Sequence, residues 1–425
     1  MFKNHKILDN RDIYLLFTLF FTLFLNEYTY AQGKQANNWY FGLHAGLSFN
    51  SGSPPEVLFD GQTTPTDSGS GVASISDENG NLLFYATGFQ IWNKEHQVML
   101  NGANIGTGTS QGAIIVPDPG NAYLYYFFNF EYIGVNEVNF QYSLIDMTLD
   151  NGRGGVLPNK KGILLLENTS FHLNAVKHSN GVDVWVVVHG LDNNAYYSYK
   201  VTSDGIVEVP LISRLGSVIH VNLGYLKISP NGKKIAAAVH EVGGGCEIFD
   251  FDTETGLISD ENFINVSRGA YGIEFSPDNS KIYINCGGIN PLFQYDLNAG
   301  SPEEIQASEV LLLAEYAQKG ALQLGPDGKI YCATAHQYIG VIHEPNKAGL
   351  ECNYERYSIY VGDGRAVGEG LPSFIQSYLN DPEYATTQHC AGQPTQFNIA
   401  NTNGIDSVYW KFKDFGNMPN DTSTQ

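Results

Sequence analysis

Alternation of apolar and polar positions dominates this chain, and it recurs as a unit. Tyr225 to Val239 reads YLKISPNGKKIAAAV, Gly272 to Asn285 reads GIEFSPDNSKIYIN, and Ala321 to Ala333 reads ALQLGPDGKIYCA. Each is an alternating strand, a tight turn and a second apolar strand. The Pro-Asn/Asp-Gly-like turns supply the positive φ that short hairpins demand. The turn prolines Pro230, Pro277 and Pro326 lie 47 and 49 residues apart. Weaker copies lie upstream, at Val72 to Tyr85, Ala113 to Phe127 and Ala175 to Val188. A third strand follows each copy, as at Glu247 to Phe251 and Leu292 to Asp296, and Asp252 to Ser259 turns into a fourth. No copy contains a helical period, so solenoids of paired helices are excluded. Four short antiparallel strands per unit, repeated radially, predict an all-β fold, a β-propeller.

Six units are read directly, and a seventh is assembled from both ends. Gly370 to Tyr378 (GLPSFIQSY) matches a first strand but has no hairpin partner after it. Trp39 to Phe49 (WYFGLHAGLSF) is strand-like but has no first strand before it. Joining them in one sheet closes the ring and removes two exposed edges. Residues 32 to 382 then give about fifty residues to each of seven blades. Residues 383–425 read as a linker and two strands around a Thr-Asn-Gly turn, too short for an independent domain.

Charge narrows the partners. The 425 residues carry 23 Lys+Arg against 44 Asp+Glu, a formal net charge of −21. That balance argues against nucleic acid and against anionic membrane surfaces. Residues 1–31 read as a secretory signal peptide. Lys3, Lys6 and Arg11 precede an apolar run from Ile13 to Leu25, and Thr29 and Ala31 offer small residues before a cleavage site. No second apolar span follows, so the mature chain is expected to be exported, with no transmembrane segment. Export makes disulfides permissible for Cys246, Cys286, Cys332, Cys352 and Cys390. Cys246 begins a third strand and Cys286 ends a second strand in the next blade, which makes them the favoured pair. Cys390 is expected to be solvent-accessible.

Several stretches resemble a known group in order along the chain: NNWYFGLHAGLSFNSGSPP, ISDENGNLLFYATGFQIWNKEHQVM, IIVPDPG and GLPSFIQSY. They are similar to the large secreted surface proteins of Bacteroidetes that carry a propeller, then PKD-type domains, then a type IX secretion sorting tail. The segment CAGQPTQF…IDSVYWKF resembles the opening of a PKD domain, an immunoglobulin-like sandwich. Trp410 and Phe412 match its Trp-Asp-Phe-Gly-Asp-like run, while Lys411 and Lys413 replace the Asp and the first Gly. The later PKD strands and the sorting tail are not in this sequence. The resemblance implies an exported, non-enzymatic surface or adhesion role and assigns no ligand.

One set of residues invites a site. In three units a His falls eight residues after the turn Gly: His189, His240 and His336. The position is the end of the second strand, on the side of the loops that join blades, where propellers bind ligands. Two readings follow: the imidazoles line a binding face at the channel mouth, or each caps its strand and bonds a neighbouring backbone. Asp250-x-Asp252-x-Glu254 departs from a calcium loop in its Gly and Glu spacing and reads as a hairpin. Asp67-Ser68-Gly69-Ser70-Gly71 precedes no helix and is not a nucleophile elbow. Trp92 and Tyr338 could stack on sugars or pack between blades. No catalytic residue, metal or cofactor is expected. The reading is a binding or adhesion module with the propeller as display platform, toward an extracellular glycan or protein. The alternative is a lactonase-like propeller hydrolase, which would need the His face to converge on an acid. Glu241 is the only acid beside one of these histidines.

Overall fold

The protein is described by a computed structural model covering residues 33–64, 71–108, 110–134, 137–241, 243–266, 269–286, 291–313, 320–334 and 336–379, with the backbone of 384–386 and 397–399. The signal-peptide reading, Cys390, Trp410 and the PKD-like pattern lie outside the described residues, apart from a two-stranded pairing of Tyr384–Thr386 with Phe397–Ile399.

Seven sheets built on antiparallel hairpins follow one another along the chain as the blades of a β-propeller. Blade 1 holds Asn38–Phe41, Ala45–Ser48 and Glu56–Leu58, and blade 2 holds Val72–Ser76, Leu82–Thr87 and Ile91–Asn93. Blade 3 starts at Ala113–Asp118 and blade 4 at Thr169–Lys177. Blade 5 is Leu226–Ile228, Lys234–Ala238, Gly245–Phe251 and Ile258–Asn265; blade 6 runs from Ala270–Phe275 to Val310–Leu313. Blade 7 is Leu322–Leu324, Ile330–Cys332, Tyr338–Ile342 and Tyr354–Tyr360. Among the described residues the one α-helix is Pro302–Ala307, opened by a Ser301–Glu304 capping box.

The repeat is local chemistry made visible. In blade 5 the Ser229 hydroxyl accepts from the Lys234 N–H at 2.9 Å, and Gly232 sits at φ 74°. Blade 6 repeats this with Ser276 and Lys281 at 2.9 Å and Asn279 at φ 62°. The serine closes the hairpin while a residue tolerant of left-handed backbone turns it. The first strands of blades 5 and 7 are buried at every position, because each is flanked by neighbouring blades and must be apolar or internally paired.

The ring closes differently from the sequence expectation. Blade 1 consists of the N-terminal strands alone, and Pro372–Ser373 joins blade 2, parallel to Val72–Ala73. The two ends meet through one antiparallel bridge, Leu43 with Ala366. Gly42 makes this approach possible: at φ 56°, a Cβ there would fall 2.1 Å from the Ala366 carbonyl oxygen. Below the bridge the segments separate. Pro372 has no N–H to give a ladder, and Phe374 meets Trp39 ring to ring at 5.8 Å. Trp39 also packs on Phe49 at 5.0 Å and on Tyr331 of blade 7 at 5.3 Å, so an aromatic seam does the closing.

Residues 371–379 therefore fill the middle of the ring. Ile375 bridges Ala175 of blade 4, the Ser377 hydroxyl accepts from the Lys177 N–H at 2.8 Å, and Gln376 reaches Glu274 of blade 6 at 3.3 Å. Ile375 and Gln376 are fully buried.

The favoured disulfide is also corrected. Cys246 and Cys286 are buried thiols, as are Cys332 and Cys352. Burial pushes the Cys246 thiol up, with smaller contributions from Glu247 and from Cys286 nearby. The spacing put the pair in the right neighbourhood, and the pair remains reduced.

Candidate functional site

The propeller has two faces. The Pro-Asn/Asp-Gly turns define one, the turn face. Loops that follow second strands, and those that carry the chain into the next blade, define the other, the loop face. Ser53 bonds Asp327 in the blade 7 turn at 2.8 Å, and Asn50 bonds Gly80 in the blade 2 turn at 2.8 Å. The strand Asn38–Phe41 therefore runs from the turn face to the loop face, as second strands do. Residues 34–36 pack against residues 376–379. The chain thus enters and leaves the propeller together on the turn face. A cavity of about 230 Å³ opens on that face, lined by Lys177, Asn231, Thr253 and Ser377 among others.

The three sequence-predicted histidines lie at blade ends on the loop face but in three environments. His189 is fully buried; its Nδ1 lies 2.5 Å from the Gly190 carbonyl, and its ring meets Tyr196 edge-on at 4.4 Å. His240 is half-buried, and its Nδ1 donates to the Ala270 carbonyl of the next blade at 3.2 Å. His336 is exposed, and its carbonyl accepts from the Val367 N–H at 2.9 Å. None of the three rings touches another of the three. His189 instead neighbours His172, at 6.1 Å between centroids. His172 is buried, with its Nε2 2.9 Å from the Ala238 carbonyl and its Nδ1 2.9 Å from the Ser170 hydroxyl. Burial lowers the His172 pKa to about 4. Burial, then the charge of His172, lowers that of His189 to about 3. Both are neutral at physiological pH.

The eight-residue offset missed His44, which sits in the equivalent loop of blade 1 with Nδ1 3.0 Å from the Gly61 carbonyl. No hairpin glycine precedes it within the chain, so there was nothing to count from. Glu241, the acid beside His240, accepts from the backbone N–H of His220 at 2.8 Å, and the His220 ring pairs with Asp192 at 2.8 Å. The Asp192 contact, first of all by hydrogen bonding, raises the pKa of this exposed imidazole.

The two aromatic candidates separate. Trp92 is buried and stacks on Tyr85 at 5.4 Å. Tyr338 is exposed and stands at the loop-face end of blade 7 between two further exposed tyrosines, at 5.6 Å from Tyr357 and 5.0 Å from Tyr360. The Arg356 guanidinium lies 4.8 Å over the Tyr357 ring, and Tyr360 donates its hydroxyl to Asp363. Next to Asp363, Arg365 lies 4.7 Å over the ring of exposed Phe59. The shelf arises from a register shift between Ile339 and Val341 where strands Tyr338–Ile342 and Tyr354–Tyr360 pair. That irregularity turns Tyr357 and Tyr360, three residues apart, out to solvent together.

No protein family matches the chain, and no curated protein does. Solved structures match it at a distance. A glucose dehydrogenase is 14% identical, with 62% of this chain and 93% of that chain covered and a TM-score of 0.39. A putative 6-phosphogluconolactonase from Bacteroides uniformis is 12% identical, with 70% and 96% covered and a TM-score of 0.37. A functionally unknown protein from Desulfotomaculum acetoxidans is 11% identical, with 77% and 80% covered and a TM-score of 0.38. At this distance they carry no argument about what this chain binds or does.

Proposed function

We propose that this is an exported surface-binding protein whose propeller presents its loop face to an extracellular partner, without catalysis. One observation carries the reading: residues 34–36 and 376–379 pack together on the turn face. The first and last described residues of the propeller thus lie on the turn face, opposite the loop face. The filled channel supports the same reading, because residues 371–379 occupy the axis where a ring of inward side chains would otherwise converge on a small molecule. The N-terminal apolar run and its small-residue end support export.

The test is orientation. In a Cys390→Ser background, His220→Cys places a thiol on the loop face and Glu254→Cys places one on the turn face. Each protein is loaded with biotin and streptavidin and applied to arrays of extracellular glycans and proteins. Retention by the Glu254→Cys conjugate and loss by the His220→Cys conjugate is the expected pattern. Equal retention by both, or turnover of a lactone or ester substrate by the unmodified chain, would overturn the proposal.

A further inference from the structure

We infer that the shelf formed by Tyr338, Tyr357 and Tyr360 with Asp363 binds neutral hexopyranose chains. The inference rests on the loop-face reading above and names the ligand class for one part of that face. Three exposed rings on two adjacent strands, with centroid spacings of 5.0 and 5.6 Å around Tyr338 and the Arg356 guanidinium over one face of Tyr357, give a stepped surface at the size of a sugar ring. Pyranose C–H faces pack on such rings, whose faces carry negative charge density.

The polar groups at the shelf select among ligands. Tyr360 already donates its hydroxyl to Asp363 Oδ1, so that hydroxyl has no hydrogen left to give. A proline-rich peptide offers mainly carbonyl acceptors and would find that donor spent. Sugar hydroxyls both donate and accept, so one can donate to Asp363 Oδ2 while its neighbour accepts elsewhere. Anionic glycans fit poorly. The Arg365 guanidinium is engaged by the carbonyls of His44, Phe59 and Asp363, the Arg356 guanidinium is stacked on the Tyr357 ring, and the protein carries a net charge of −21. Beyond Asp363, exposed Phe59 extends the aromatic strip toward blade 1 and gives a second unit of a longer chain a ring to meet.

The experiment uses the full chain on a printed panel of neutral, uronic and sulfated oligosaccharides alongside proline-rich peptides and extracellular proteins. Hits are then titrated in solution with wild type, Tyr338→Ala, Tyr357→Ala, Asp363→Asn and, as a control on another blade, Tyr123→Ala. The expected result is retention of neutral hexose oligomers, with affinity lowered at least about tenfold in the two shelf tyrosine variants and unchanged in the control. Unchanged thermal melts show that these exposed substitutions leave the fold intact. Failure to retain any neutral glycan, or equal affinity in the shelf variants, overturns the inference. Retention of a peptide or protein instead overturns the glycan class while leaving the loop-face reading standing. Retention of nothing at all overturns both.

Discussion

Lys227 and Glu274 form an ion pair of 2.9 Å at the inner edge of the ring, with side chains 2% and 0% exposed. They stand on the first strands of blades 5 and 6. The Lys227 ammonium also donates to Gln323 of blade 7 at 2.6 Å. Glu274 further accepts from the N–H groups of Phe275 and Leu324, both at 3.0 Å, and from Gln376 at 3.3 Å. Three blades and the axial segment are thus tied at one carboxylate. Desolvating two charges is costly, and only such a full set of partners offsets it.

Glu274→Ala should therefore destabilise the propeller by about 3–5 kcal/mol, because it leaves the Lys227 charge buried and uncompensated. The double variant Lys227→Met/Glu274→Leu should recover most of that loss. Denaturant melts of the three proteins check this. A single variant as stable as wild type would mean that water reaches the ring centre.

The axial segment should be a structural member of the ring. Phe374 is 3% exposed and packs on Trp39, so Phe374→Ala should cost about 3–5 kcal/mol. Tyr123→Ala, on an exposed ring, should stay within about 0.5 kcal/mol of wild type. If Phe374→Ala melts like Tyr123→Ala, the segment is not seated as described.

Stability should depend on pH through His172 and His189. Their folded pKa values are lowered to about 4 and about 3, from 6.5 for the free group. Between those limits the unfolded chain binds protons that the folded chain refuses. Stability is therefore fully present above about pH 6.5 and falls as pH drops through 6.5 toward 4. His172 alone contributes a loss of roughly 3 kcal/mol by pH 4. His172→Gln, which cannot take up the proton, should flatten this slope, as read from melting temperatures between pH 4 and 7.5.

The four described cysteines should behave as buried thiols. Cys246 and Cys332 are pushed up by burial, which keeps thiolate scarce. Native protein should react slowly with a thiol reagent at these positions and rapidly once unfolded. Peptide mapping without reductant would reveal a Cys246–Cys286 linkage if the reduced pair described above were wrong.

The chain by itself determined the blades, because a blade is a local object. Ser229 to Lys234 and Ser276 to Lys281 carry their own turn chemistry, and the apolar alternation on either side sets each hairpin without reference to anything distant. Ring size followed from the repeat length, whereas the joining of the two end segments into one blade did not hold. The tertiary structure alone decided what depends on blades meeting. Residues 370–378 have the pattern of a first strand, but Pro372 and the Trp39–Phe374 contact carry them to Val72, Ala175 and Glu274 instead. A constant offset from the turn glycine placed His189, His240 and His336 alike, yet neighbours bury the first, half-cover the second and leave the third in solvent. Tyr357 and Tyr360 were hidden for a related reason. A period of two puts residues three apart on opposite sides of a strand, and only the register shift against Ile339 and Val341 turns both outward beside Tyr338.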